Sequence, residues 1–151
     1  MKEHDDYIID KILNLGKRDI LHIIGDSIFN GPHFDEYIER LRKKKCRIKL
    51  IFGNHCSLKL LDHRDLFEIQ LPLYSYKNMW ISHAPIHPDE LRNRIGCIHG
   101  HLHKEKVMRH IPQGYTFTDV QDPRYFNVNL DVNNYEFVDF EEIKKYFSGD
   151  E

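Results

Sequence analysis

The sequence predicts an α/β protein built from mixed sheets with helices outside. Two observations predict it. In the first 52 residues, apolar residues at helical spacing alternate twice with short, nearly continuous apolar runs. Beyond them the pattern changes to a hairpin-like pair of segments and short isolated strands, so parallel and antiparallel neighbours are expected together. At 151 residues the chain suits one domain with a sizeable core, spanning 1–151, and is too short to suggest two.

The elements follow in order. Tyr7, Ile8, Ile12 and Leu15 recur at helical spacing, with Asp5 and Asp6 at the start and Gly16 just past the end. Residues 20–24 (Ile-Leu-His-Ile-Ile) read as a strand buried on both faces. A loop over 27–33, carrying Gly31 and Pro32, leads to a second helix marked by Phe34, Tyr37, Ile38 and Leu41. Residues 47–52 form the next strand, and 57–61 a short helical piece. Residues 66–76 and 79–81 read as two strands joined at Lys77-Asn78. A short strand is expected at 95–99, then an irregular stretch punctuated by Pro112, Gly114 and Pro123. Residues 126–132 alternate apolar and polar like a half-buried strand. Asn133-Asn134 turns the chain, and a helix over 141–147 closes it.

Lys and Arg total 22 against 24 Asp and Glu, so no global field recruits nucleic acid or membrane. No stretch is apolar enough to span a bilayer. Cys46, Cys56 and Cys97 are odd in number and irregularly spaced, which argues against a disulfide framework and for a reducing compartment, the cytoplasm. The absence of a CxxC pair argues against a zinc ribbon. The 11 histidines are the compositional outlier, although His4 and His110 read as plain surface residues.

Four polar motifs stand where apolar runs end: Gly25-Asp26, Gly53-Asn54-His55, Ser82-His83 and Gly100-His101-Leu102-His103. Singly, each has a plain reading. Asp26 could cap a helix, His55 could sit in a loop, and His83 could mark a strand exit stiffened by Pro85 and Pro88. His101 and His103 are two apart, so in extended backbone both point to one side. Together they supply a carboxylate, an amide oxygen and imidazoles, the donors that borderline divalent ions take. Four such motifs at strand ends favour a metal site over turn chemistry.

This ordered series resembles the calcineurin-like metallophosphoesterase superfamily, and most of all its small, single-domain bacterial and phage members. The likeness runs from the first helix to Asn129-Leu130-Asp131-Val132, which resembles their closing strand. It implies a mixed β-sandwich flanked by helices (an αββα arrangement) and two-metal hydrolysis of a phosphomonoester or phosphodiester by a metal-activated hydroxide. It implies Asp26 as the bridging ligand, Asn54, His83 and His101 completing one metal site, and His103 belonging to the other. His55 would be the acid that assists the leaving group or steadies the phosphoryl oxygens. The implied cofactors are divalent ions, Mn²⁺ first, with Fe²⁺, Zn²⁺ or Ni²⁺ as alternatives.

Two departures stand out. The family's first strand carries Asp-x-His, and this chain has no such motif; His4-Asp5 reverses the order and opens a helix. The chain is therefore expected to be shortened at its N-terminus and to lack the usual first strand, whether as a fragment, a mis-chosen start, a one-metal variant or a degenerate relative that binds a partner. One well-held ion with a weak or vacant neighbour is expected. Cys56 stands where the family usually has Asp or Glu after Gly-Asn-His; it could be a soft accidental ligand, but the expected reading is a small buried residue behind the loop.

The alternative to an enzyme is an inactive binding protein of the same fold with a partial metal site. The cations of 40–49 (Arg40, Arg42, Lys43, Lys44, Lys45, Arg47, Lys49) could also hold a nucleic-acid backbone, though a helix C-terminus attracts cations in any case. His22 and His99 read as structural, His63 as solvated and His87 as a residue near the site. Tyr74, Tyr76 and Trp80 read as hairpin packing. The oligomeric state is left open.

Overall fold

The computed structural model describes residues 2–26 and 31–149. The predicted loop segment 27–30 lies outside the described residues. The chain divides into two compact units, Met1–Pro72 and Leu73–Glu151. Both are mixed α/β, with sheets and flanking helices.

In the first unit, α1 (Lys2–Asn14) buries Ile8, Ile9 and Ile12, and α2 (Phe34–Leu41) buries Phe34, Tyr37, Ile38 and Leu41. Arg40 of α2 reaches both Asp6 and Asp10 of α1, tying the helices at their polar edge. Strands β1 (Ile20–Ile24), β2 (Arg47–Ile51) and β3 (Glu68–Ile69) form a parallel sheet in the order β1-β2-β3. Residues 20–24 are not buried on both faces: Ile20 is exposed and the rest are half-buried. The reason is position, since β1 lies at an edge and central β2 buries Ile48, Leu50 and Ile51. Parallel register pairs Ile24 with Ile51, so β1 and β2 end side by side. A 3-10 turn, Leu58–His63, is capped by Ser57, whose hydroxyl accepts from the Lys59 N–H.

The expected single strand over 66–76 is split. Residues 68–69 join β2 in the first unit, whereas β4 (Leu73–Tyr76) belongs to the second. Pro72 sits at the break; it lacks an N–H and biases Leu71 away from helix, which suits a crossing segment.

In the second unit, β4, β5 (Met79–Ser82), β6 (Cys97–His99) and β9 (Tyr125–Asn127) form a sheet in that order. The β4–β5 hairpin turns at Lys77 and Asn78, both at positive φ (46° and 66°), the pattern of a tight I′ turn. β5, β6 and β9 are parallel, with Ser82 beside His99 and His99 beside Asn127, so their three exits also lie together. Leu91, Cys97 and Tyr125 are buried with Trp80, Ile86 and Val107 around them. Closing helix α3 (Phe140–Ser148) buries Ile143, and Asp139 caps its start.

The irregular stretch expected after residue 99 contains a second hairpin, β7 (Met108–Gln113) with β8 (Thr116–Gln121). Pro112 and the exposure of β7 hid it: β8 half-buries only Thr118 and Val120, and no fully buried stripe imposes a period. Gly114 at φ +64° makes its two-residue turn. The segment 126–132 is strand only to Asn127, and then bends into a 3-10 turn, Leu130–Val132.

Candidate metal centre

All four motifs stand at strand exits, where open α/β sheets present their ligands. After β1 the chain bends at Gly25 and Asp26, both left-handed at φ +75° and +43°. The Asp26 Oδ1 accepts the His55 backbone N–H at 2.8 Å, which ties the loop after β2 to the loop after β1. A left-handed aspartate is tolerated at modest strain because its short side chain can bond locally. Asn54 and His55 are exposed and Asp26 is half-buried. The Gly53 N–H donates to the Cys56 sulfur at 3.2 Å, and the Cys56 N–H returns to the Gly53 carbonyl at 3.3 Å. Cys56 thus braces the turn, but it is half-buried and not fully buried as expected, because the turn around it is open to solvent at Asn54 and His55.

In the second unit, the Gly100 N–H donates to the His83 carbonyl at 2.9 Å, extending the β5–β6 ladder into the two loops. The chain then turns sharply: the Leu102 N–H bonds the Gly100 carbonyl at 2.8 Å around His101 at φ +66°. This is the γ-turn of positive φ, a strained form. Such strain costs on the order of 1–3 kcal/mol and persists where the surroundings impose it. It brings the His101 Nδ1 to 3.0 Å from the His83 Nε2, the rings edge to face with centroids 4.8 Å apart.

His103, also left-handed at φ +51°, points its Nδ1 at Asp131 Oδ2, 3.6 Å away. The expectation that His101 and His103 share a side through extended backbone fails for the same reason: both residues are in turns. His99, beneath the loop, is buried, and its Nδ1 donates to the Gly100 carbonyl at 2.8 Å. Burial holds this imidazole below its usual value.

Asp26, His83 and His101 each present one ligand atom of the kind a divalent cation takes. Carboxylate oxygens and imidazole nitrogens are donors that the borderline ions of the first transition row accept. His103 turns instead to Asp131. Sequence reasoning missed Asp131 and the asparagines around it. Their signal was present in the alternation of Asn127, Asn129 and Asp131, which reads equally well as the wet side of a strand.

The remaining histidines have other partners. His63 is half-buried against the Phe34 ring, centroids 5.7 Å apart, and is not simply solvated. His87 accepts the Asp89 N–H and caps a 3-10 turn. His110 bonds Asp119 across the second hairpin. Among the cations of 40–49, Arg40 pairs with Asp6 and Asp10, Arg42 with Glu39 and Asp65, and Arg47 with Glu68. Tyr76 packs edge-on to Phe140, and Trp80 donates to the Glu90 carbonyl.

Each sheet thus carries carboxylate, amide or imidazole groups at its strand exits. The chain belongs to the calcineurin-like phosphoesterase family, whose model matches residues 4–148. It is thereby a member of a family of metal-dependent phosphoesterases. A solved structure from Aquifex aeolicus, of a protein of unknown function, is similar at 22% identity and a TM-score of 0.67, covering 96% of this chain and 86% of that one. That likeness is one of fold. No curated protein matches the chain. Among the described residues no helix is long and apolar enough to cross a membrane.

Proposed function

We propose that the chain hydrolyses a phosphomonoester or phosphodiester with divalent metal. The observation that carries the reading is the His83–His101 pair, two imidazole nitrogens held 3.0 Å apart by a strained turn at parallel strand exits. In this reading Asp26, Asn54, His83 and His101 share one ion, and His103 serves a second. Mn²⁺ is the first candidate, with Fe²⁺, Zn²⁺ and Ni²⁺ behind it. A bound ion would supply Lewis acidity, lowering the pKa of water from 15.7 towards about 7 and offsetting charge on phosphoryl oxygens.

The chain's own groups do the rest. The His55 N–H holds the Asp26 carboxylate in one orientation before a ligand arrives. The exposed His55 ring, on the same turn, donates a proton to the leaving oxygen or steadies the phosphoryl oxygens. Three free cysteines suit a reducing compartment, the cytoplasm.

The test is hydrolysis of p-nitrophenyl phosphate and bis(p-nitrophenyl) phosphate with Mn²⁺ or Ni²⁺. Asp26→Asn should abolish turnover, and His55→Ala should reduce it by roughly 10²–10⁴-fold, the range for a general acid. Turnover that survives both substitutions would refute the assignment.

A further inference from the structure

Among the described residues one histidine is fully buried, and the proposed reaction does not use it. His99, the last residue of β6, is 1% exposed. Its backbone pairs with Ser82 on β5 and Asn127 on β9, and its carbonyl accepts the Val128 N–H at 2.8 Å. Its ring stands edge to face with Tyr125, centroids 6.1 Å apart, and Tyr125 is buried together with Leu91 and Cys97. An apolar side chain would fill such a place at lower cost, because a buried imidazole must find a hydrogen-bond partner. It finds one in its own loop. The His99 Nδ1 lies 2.8 Å from the Gly100 carbonyl oxygen, which can only accept, so Nδ1 carries the proton.

The same oxygen carries the strained turn. It accepts the Leu102 N–H at 2.8 Å, closing the γ-turn around His101 at φ +66°. Two donors thus meet both of its lone pairs, one from the turn and one from the buried ring. Gly100 is also held at its N–H, which donates to the His83 carbonyl at 2.9 Å. The plane of the Gly100–His101 peptide sets the direction in which the His101 side chain leaves the chain. That direction brings the His101 Nδ1 to 3.0 Å from the His83 Nε2. We infer that His99 is a positioning residue: its Nδ1–H holds the Gly100 carbonyl in the plane the turn needs, and so keeps the His101 imidazole against His83. The purpose of the turn rests on the metal reading above, but its geometry does not.

The physical logic is that of a strained turn held from beneath. Backbone strain persists only where the surroundings impose it. The Leu102 bond belongs to the turn and is lost whenever the turn opens. The His99 bond is supplied from outside the turn, by a ring that the sheet and Tyr125 hold in place. Were the carbonyl to rotate away, the Nδ1–H would be left buried without an acceptor, and that penalty opposes opening.

Two substitutions separate this role from packing. His99→Phe keeps the ring and removes the donor. His99→Asn leaves a cavity but can place an amide N–H where Nδ1 stands, one bond beyond Cγ. The turn is read in metal-free protein by NMR, from the close approach of the His101 amide proton to its own Hα, which marks positive φ, and from the ring contact between His83 and His101. Mn²⁺ affinity by calorimetric titration and the melting temperature are measured alongside. The Phe variant should lose both NMR signatures and bind Mn²⁺ roughly 10–100-fold more weakly, the range for losing a group that orients a ligand, with the smaller change in melting temperature. The Asn variant should melt lower yet keep the signatures and the affinity. Signatures that follow the melting temperature instead would overturn the proposal, as would a turn that survives in the Phe variant. Unaltered Mn²⁺ binding in a Phe variant that has lost the turn would overturn it too, because the turn would then position nothing. Wild-type ring nitrogen shifts that put the His99 proton on Nε2 would overturn it whatever the variants do. A wild-type chain that binds no Mn²⁺ would sink the metal reading and leave the turn signatures to decide this one.

Discussion

Gly96 precedes β6, the strand that delivers His101 and His103, and it has no room for a side chain. A Cβ built there would lie 2.4 Å and 2.7 Å from the Phe147 ring of α3 and 2.8 Å from the Arg124 carbonyl oxygen. The ring is the end of a side chain and can yield. The carbonyl cannot yield easily, because it accepts the Cys97 N–H at 2.9 Å and so holds β6 to β9. Restoring van der Waals distance at the oxygen means moving it by about 0.6 Å, which stretches that hydrogen bond beyond its useful range.

Gly96→Ala should therefore cost an overpacking penalty of about 1–3 kcal/mol. The weakened ladder bond adds about 1 kcal/mol. For a chain of this size each kcal/mol lowers the melting temperature by about 2–4 °C, so a fall of roughly 4–16 °C is expected by calorimetry or circular dichroism. Adding Phe147→Ala should recover only part of the loss, since the carbonyl contact remains. A melting temperature within about 2 °C of wild type would refute the reasoning, as would full recovery in the double variant.

Two further outcomes follow from single groups. His22 lies in β1 beside Lys49 of β2, which pairs in turn with Glu68. Burial first, and then Lys49, push the imidazole from 6.5 down to about 4. The unfolded chain thus binds this proton before the folded one, and the stability His22 contributes in its neutral form is lost as pH falls from about 6.5 to about 4. His22→Gln should flatten that limb of the stability profile; parallel profiles for the two proteins would contradict it. Asp139 accepts the Glu141 N–H at 2.8 Å as the cap of α3, so Asp139→Ala should destabilise by about 0.5–2 kcal/mol in urea titrations. An unchanged midpoint would show that the cap is worth nothing there.

The candidate ligands were legible in the sequence because each apolar run ends abruptly in a polar motif. Backbone pairing needs no particular side chain, but burial does, so the end of a strand is written in composition. Both early helices and the Lys77-Asn78 hairpin were legible for the same local reason: period and turn chemistry lie within a few residues.

What the sequence by itself determined, then, is which residue types stand at the strand exits of an α/β chain of the calcineurin-like phosphoesterase family. The tertiary structure decided where partners are chosen non-locally. It split the 66–76 run between two sheets at Pro72, made β1 an edge strand, and paired β7 with β8 where no buried face sets a period. It turned His101 and His103 into left-handed backbone, so that one faces His83 and the other Asp131, 28 residues further along the chain. Spacing along a chain can place donors on one side only while the backbone is regular. Once it turns, the neighbours of each nitrogen are set by which strands end beside it.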